Sequence, residues 1–337
     1  MSTSQAAAPV VSVRDLKVSF ALARRTVYAV NGVSFSLARG ETLGIVGESG
    51  SGKSVTAQSI PRLIHGSQTR FEGEILVAHK GREVDTIHQK ASGRLLRDIR
   101  AHTVSVIFQE PMKSLHPMFS IGWQIREALD RADFPNRKQQ DARAIDLLRL
   151  VGISAPEETI HKHPHQLSGG MRQRVMIAIA LASEPDLLIA DEPTTALDVT
   201  IQAQIVELLK SVQRRLGMSV IFITHDLGLV EEVADWLLVM YLGKVVENGR
   251  TADVIADPKH PYTQALLAAT PSFDSESKSR LNALPGNIPE LSSEPVGCVF
   301  AARCAHARPQ CAQTPPPIEV GDREVYCWMY DESWGAE

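Results

Sequence analysis

The chain has 337 residues, enough for one large domain with additions or for two domains. Hydrophobic residues make up 44% and charged residues 22%, the balance of a soluble globular protein. Thirty-five basic against 39 acidic residues leave a formal net charge of −4, which argues against a general nucleic-acid binder. No run approaches the roughly 18 apolar residues that cross a bilayer. The opening MSTSQAAAPVV has neither the basic region nor the apolar core of a secretory signal, so the chain is expected to remain in the cytosol, where thiols stay reduced.

In chain order, the first strong element is the apolar run Leu43 to Val46, followed by G-x-x-x-x-G-K-S from Gly47 to Ser54 and a helix-forming segment from Val55. Strand, loop and helix in that order make a phosphate loop. Its glycines let backbone N–H groups turn inward around a β-phosphate, Lys53 reaches the β- and γ-phosphates, and the Ser54 hydroxyl ligates Mg²⁺. The helix N-terminus adds partial positive charge beneath the anion. The nucleotide is thus expected on Gly47, Glu48, Ser49, Gly50, Ser51, Gly52, Lys53, Ser54 and Val55.

TVSVIFQ (103–109) is expected to be a strand ending in Gln109, and EALDRADF and QQDARAIDLLRLVGI read as helices. HKHPH (161–165) could suggest a metal site, but a solvated loop is the default reading. Ser168-Gly169-Gly170 opens a helix and makes a second anion-binding N-terminus. DLLIADEP (186–193) has four consecutive apolar residues, as in a buried parallel strand, with Asp191 and Glu192 at the end where open α/β sheets place ligands. Asp191 is positioned for the Mg²⁺ shell and Glu192 to orient or deprotonate the attacking water, work that typically contributes ~10²–10⁴-fold. SVIFITHD (219–226) is a third strand, whose His225 is placed to contact a γ-phosphate. Residues 271–297 are rich in Pro, Ser and Glu and read as a linker.

At LSGGM (167–171) the chain resembles the ABC-transporter ATPases, and the order GESGSGKS, FQEP, LSGGM, LLIADE, ALD and ITHD supports the resemblance. It implies an α/β P-loop NTPase fold of RecA-like type, with an N-terminal antiparallel β-subdomain, an inserted α-helical subdomain and a small C-terminal cysteine-containing extension. The implied boundaries are 10–257 for the ATPase domain with the helical subdomain at about 112–172, 258–297 for a linker, and 298–337 for the tail. The resemblance further implies that Tyr28 stacks on adenine, that Gln109 senses Mg²⁺ and the attacking water, and that Asp198 communicates between sites. Glu192, Gln109 and His225 are the implied catalytic group. The signature of one subunit would close over ATP on its partner's phosphate loop, and hydrolysis would reopen the pair.

HPYTQALL and LPGNIPE resemble the oligopeptide/dipeptide importer branch, which also serves nickel and glutathione uptake. In SLHP, His116 stands where that branch carries asparagine. The branch implies a second ATPase subunit, more often a related chain than an identical one. It also implies two membrane permeases, an extracytoplasmic solute-binding protein acting indirectly, no nucleic acid, and a peripheral place on the cytoplasmic face of the inner membrane. The rival reading is a non-transport ABC ATPase of the DNA-repair or chromosome-handling class; an exporter is disfavoured by the HPYTQALL tail.

All four cysteines, Cys298, Cys304, Cys311 and Cys327, follow residue 297 with spacing C-x5-C-x6-C-x15-C. In a reduced compartment such a set suggests a metal more than disulfides. Zinc usually begins with a close C-x₂₋₄-C pair, absent here, and the looser spacing suits a larger iron–sulfur group. The importer branch is associated with a [4Fe–4S] site at this tail. Zinc, or four cysteines buried as small hydrophobes, are the alternatives.

Overall fold

The computed structural model describes residues 8–64, 66, 68–110, 114–195, 197–269 and 293–334. LPGNIPE and most of the Pro/Ser/Glu-rich stretch lie outside the described residues, as do Met112, Pro111 and Ala196. Strands β1 (Val11–Ala21) and β2 (Thr26–Leu37) pair antiparallel, and β4 (Thr69–His79) and β5 (Arg82–Asp85) extend them into a sheet of order β2-β1-β4-β5. One face of this sheet, with Val11, Val13, Val18, Val30, Val33, Ile75 and Val77, is buried against the second sheet.

The second sheet carries the chemistry. Strands β3 (Thr42–Val46), β6 (Val104–Ile107), β7 (Leu187–Asp191) and β8 (Ser219–Ile223) run parallel, in the order β3-β8-β7-β6. Every residue of β3, β7 and β8 is buried, because helices and the first sheet cover both faces, and that is why these strands are unbroken apolar runs. β9 (Trp236–Tyr241) pairs parallel with β3, and β10 (Lys244–Arg250) returns antiparallel beside β9.

Helix α1 (Lys53–Ser59) follows the phosphate loop, and α2 (Arg94–His102) precedes β6. Between β6 and β7 lies a helical layer: α3 (Ile121–Ala128), α4 (Arg137–Leu150), the single turn α5 (Pro156–Thr159) and α6 (Gly169–Ala180). Side-chain caps written in the sequence start the three longer ones. Ser120 accepts from Trp123 N–H, Asn136 from Gln139 N–H and Ser168 from Met171 N–H. EALDRADF is not one helix: α3 stops at Ala128, Leu129 is extended, and the Asp130 carboxylate accepts the Ala132 N–H to make a turn. The HKHPH stretch carries a short 3₁₀ turn at Pro164–Gln166, with His161 and His165 exposed.

Helices α7 (Val199–Leu216), α8 (Leu227–Val233) and α9 (Thr251–Ala256) complete the core layer. The linker expected to begin at residue 258 does not begin there. His260 caps α10 (Pro261–Ala268) by accepting the Tyr262 N–H, and Tyr262 is fully buried. The carboxylate of buried Glu247 accepts the N–H groups of Lys259 and His260, which anchors the turn into α10. The cysteine segment is also not a separate appendage. Its hairpin, β11 (Ile318–Glu319) and β12 (Glu324–Val325), joins the edge of the main sheet through β12 and β10.

Candidate nucleotide site

The phosphate loop is shaped by contacts that only glycine allows. A Cβ on Gly47 would collide with the Met240 backbone oxygen, and one on Gly52, at φ +95°, with that of Ala29. The same crossing positions Tyr28: Ala29 follows it in β2, the Gly243 N–H donates to Ser51 O and the Asn31 N–H to Gly243 O. Half-exposed Tyr28 lines a pocket with Lys17, Val18, Ser19, Val30, Asn31, Arg70, Glu72 and Glu294, beside the loop. Ser49 and Gly50 form its exposed tip.

Lys53 is buried, and its ammonium donates to the carbonyl oxygens of Gly47 (2.8 Å) and Glu48 (2.9 Å). Burial pushes its pKa down, while Glu192, Asp191 and Glu48 oppose that shift. The Ser54 hydroxyl donates to Asp191 Oδ1 (2.8 Å), so two of the three residues expected around Mg²⁺ touch where α1 meets the end of β7, while Gln109 donates to Glu192 instead. Gln58 Nε2 donates to the other oxygen of Asp191 (3.2 Å). Burial raises the Asp191 pKa, and the hydrogen bonds from Ser54 and Gln58 pull it back. These oxygens fit a hard cation such as Mg²⁺, which takes one or two carboxylates and hydroxyls and leaves the rest of its shell to water and phosphate.

Glu192 stands one residue past the end of β7 in a left-handed conformation, φ +47°, a strained backbone of the sort found at functional sites. Its Oε2 accepts from Gln109 Nε2 (2.9 Å) and from Thr195 Oγ1 (2.8 Å), and His225 Nδ1 lies 3.7 Å away. The expected trio of Gln109, Glu192 and His225 therefore meets at one oxygen. Thr195 and Gln58 were missed, because a hydroxyl or amide within a loop or helix carries no spacing signal. β8 lies between β3 and β7, which is why His225 arrives between the phosphate loop and Glu192.

The signature lies elsewhere. Ser168 and Gly169 are exposed at the start of α6, and a Cβ on Gly170 would press against Ile201 of α7. The exposed Asp198 caps α7 by accepting the Ile201 N–H (3.0 Å), so signature and Asp198 share a neighbour. His116 Nδ1 accepts the Met118 N–H two residues on, the bond that an asparagine side chain makes in such a turn. It sits beside an exposed aromatic patch in which Phe119 and Trp123 stack at 3.9 Å.

The four cysteines are free thiols lining one pocket with His260, Pro261, Phe300, His306, Trp328, Met329 and Trp334. Burial pushes the pKa of Cys298 and Cys304 up, and that of Cys327 to about 11. Among the described residues no group of three or more His, Cys, Asp or Glu side chains is gathered closely enough to hold a metal ion. The zinc alternative, four ligands about 2.3 Å from one ion, does not fit that arrangement, and neither metal expectation receives support from it. HKHPH provides no such group either.

The ABC transporter family model matches residues 30–195, and that of the oligopeptide/dipeptide transporter C-terminal region matches residues 246–311. The oligopeptide transport ATP-binding protein OppD of Bacillus subtilis is 47% identical over 326 residues, covering 96% of this chain and 88% of its own. The dipeptide transport ATP-binding protein DppD of Haemophilus influenzae is 47% identical over 319 residues, 94% of each chain. Among solved structures, a dimeric ATP-binding cassette in a post-hydrolysis state bound to ADP and phosphate superposes with TM-score 0.61 at 27% identity, covering 72% of this chain and 98% of that one. A non-transport role finds no support in these relatives. The expected pairing with a second, different ATPase is corrected: the matches are transport ATP-binding proteins and a dimeric cassette, and none brings in a second kind of ATPase subunit. The chain itself carries both the phosphate loop with Glu192 and the LSGGM stretch. The chain therefore belongs to the ATP-hydrolysing subunits of the ABC transporters, in the branch that carries the oligopeptide/dipeptide transporter C-terminal region.

Proposed function

We propose that the chain powers an importer of di- or oligopeptides from the cytoplasmic face of the membrane, as a peripheral subunit. The reading is carried by Glu192 Oε2, where Gln109, Thr195 and His225 converge beside the Ser54–Asp191 pair. In it, Lys53 and the loop N–H groups bind the phosphates, Ser54 and Asp191 hold Mg²⁺, and Glu192 takes the proton of the attacking water. Closure brings Ser168–Gly170 of one copy over the nucleotide of the other. The matched C-terminal region and the transport relatives support the peptide class. Among the described residues no helix is long and apolar enough to cross a membrane, which agrees with a peripheral attachment. The stacked, exposed Phe119 and Trp123, with exposed Met118 nearby in sequence, are suited to docking a membrane subunit. Uptake of a labelled dipeptide by cells lacking the chromosomal copy tests this: the wild-type gene should restore uptake and Glu192→Gln should not. Equal uptake with and without the gene would overturn the peptide reading while leaving the ATPase intact.

A [4Fe–4S] cluster on Cys298, Cys304, Cys311 and Cys327 is part of the proposal, on the ground of the cysteine spacing and the branch resemblance and not of the side-chain arrangement. Such a group would supply a covalent fold anchor. Anaerobic purification should give brown protein with iron and sulfide in equal amounts; colourless, iron-free protein that still folds would refute it.

A further inference from the structure

Glu48, the second residue of the phosphate loop, is held by three different groups. Its backbone N–H donates to the Tyr262 hydroxyl (2.8 Å) and its carbonyl accepts from Lys53. Its carboxylate meets the Arg303 guanidinium in a fork, Nη1 to Oε2 at 2.7 Å and Nη2 to Oε1 at 3.2 Å. Arg303 is 255 residues away in sequence, and its side chain is only 5% exposed. Such a desolvated, two-pronged pair is held in one geometry and is weakly screened by salt. Arg303 also donates to the Tyr241 hydroxyl (3.1 Å), and the Glu48 contact raises its already high pKa.

The other end of this link is the cysteine pocket. Arg303 ends the 3₁₀ turn Ala301–Arg303, which lies between Cys298 and Cys304. The turn is closed at both ends: Ala301 N–H donates to Cys298 O, and Cys304 N–H to Ala301 O. Cys298 N–H in turn donates to Cys311 O (2.9 Å). Phe300, in the same turn, is buried among Tyr241, Tyr262 and His260. A second contact comes from the same segment, where Glu294 pairs with Lys17 in the pocket beside Tyr28.

We propose that Arg303 is a positioning residue for the phosphate loop, through which the cysteine-bearing segment sets how tightly the loop holds a nucleotide. The chemistry is charge neutralisation with orientation. Glu48 is part of the loop that would hold the triphosphate, next to Gly47 and bonded to Lys53, so Arg303 would offset its repulsion of the phosphates while fixing the loop. Without Arg303, the Glu48 carboxylate is left unpaired beside a polyanion. The hydrolytic group at Glu192 is built on another strand and does not touch Arg303, so the effect falls on binding rather than on the chemical step.

The test is ATP affinity and steady-state hydrolysis of the full chain for Arg303→Met, Glu48→Gln and the double variant. Methionine keeps an apolar stem beside Tyr241 and Phe300 while deleting the fork. Arg303→Met should weaken ATP binding about tenfold, as for loss of a charge-assisted contact, with kcat within about twofold of wild type. Adding Glu48→Gln should restore affinity to within about threefold, because the unpaired charge is gone. A segment that had merely lost its fold would show no such rescue. All four cysteines lie in this segment, so thiol reactivity reports its fold independently. If Arg303→Met exposes the thiols, the rescue alone decides. Unchanged ATP affinity in Arg303→Met, or independent multiplication of the two effects without rescue, would overturn the proposal. The inference rests on ATP occupying the loop, which Lys53→Ala tests separately: ordinary ATPase activity in that variant would sink the loop assignment itself.

Discussion

Glu192 combines a strained backbone with three polar neighbours at one carboxylate oxygen, an arrangement that orients that oxygen for proton transfer. Glu192→Gln keeps the shape and the hydrogen bonds but loses the basic oxygen. Hydrolysis should fall at least about tenfold while ATP binding persists, as read by phosphate release and nucleotide retention; near-normal turnover would remove Glu192 from the base role. Lys53→Ala should abolish nucleotide binding or hydrolysis, and ordinary ATPase activity would contradict the phosphate-loop assignment. These assignments follow from local spacing, and the pattern of glycines with one lysine and one serine was readable because each residue type has a distinct job within eight positions. Thr195 and Gln58 were not readable, since their partners come from the fold.

At the scale of elements, α10 shows how a capping residue can make stability depend on pH. His260 is buried, and burial lowers its pKa to about 3, against about 6.5 in an unfolded chain. Neutral Nδ1 accepts the Tyr262 N–H, and the flanking backbone is held by Glu247. The unfolded chain takes up a proton below pH ~6.5 and the folded one does not until about pH 3. Stability from this group is therefore unaffected above pH ~6.5 and declines as pH falls between those values, by at most about 1.4 kcal/mol per unit. His260→Asn retains a capping acceptor without the titration. Its melting temperature should fall less than that of wild type between pH 6.5 and 4.5, and parallel curves would exclude His260 as the source. For α6, Ser168→Ala should cost about 1 kcal/mol of stability through the lost cap, measured by urea unfolding.

For the whole molecule, the signature and the phosphate loop belong to different layers of one chain, and the proposed composite site takes one from each of two copies. Glu192→Gln with ATP and Mg²⁺ should sediment as a dimer of this chain and return to monomer when nucleotide is removed. A species that stays monomeric at saturating ATP would contradict closure by identical copies.

The sequence by itself determined the strand–loop–helix of the phosphate loop, the apolar runs of β3, β7 and β8, the start of α6 at Ser168, and the order of motifs. All of these depend on residues within a few positions of one another, where steric and hydrogen-bonding preferences act directly. Tertiary structure alone decided that β8 lies between β3 and β7, so that Gln109, Glu192 and His225 share an oxygen. It also decided that HPYTQALL is a helix whose buried first turn touches the loop, that β12 extends the main sheet, and that Arg303 reaches Glu48. Those contacts join residues far apart in the chain, and their pairing is selected by burial and charge compensation in the assembled core, which no local spacing encodes.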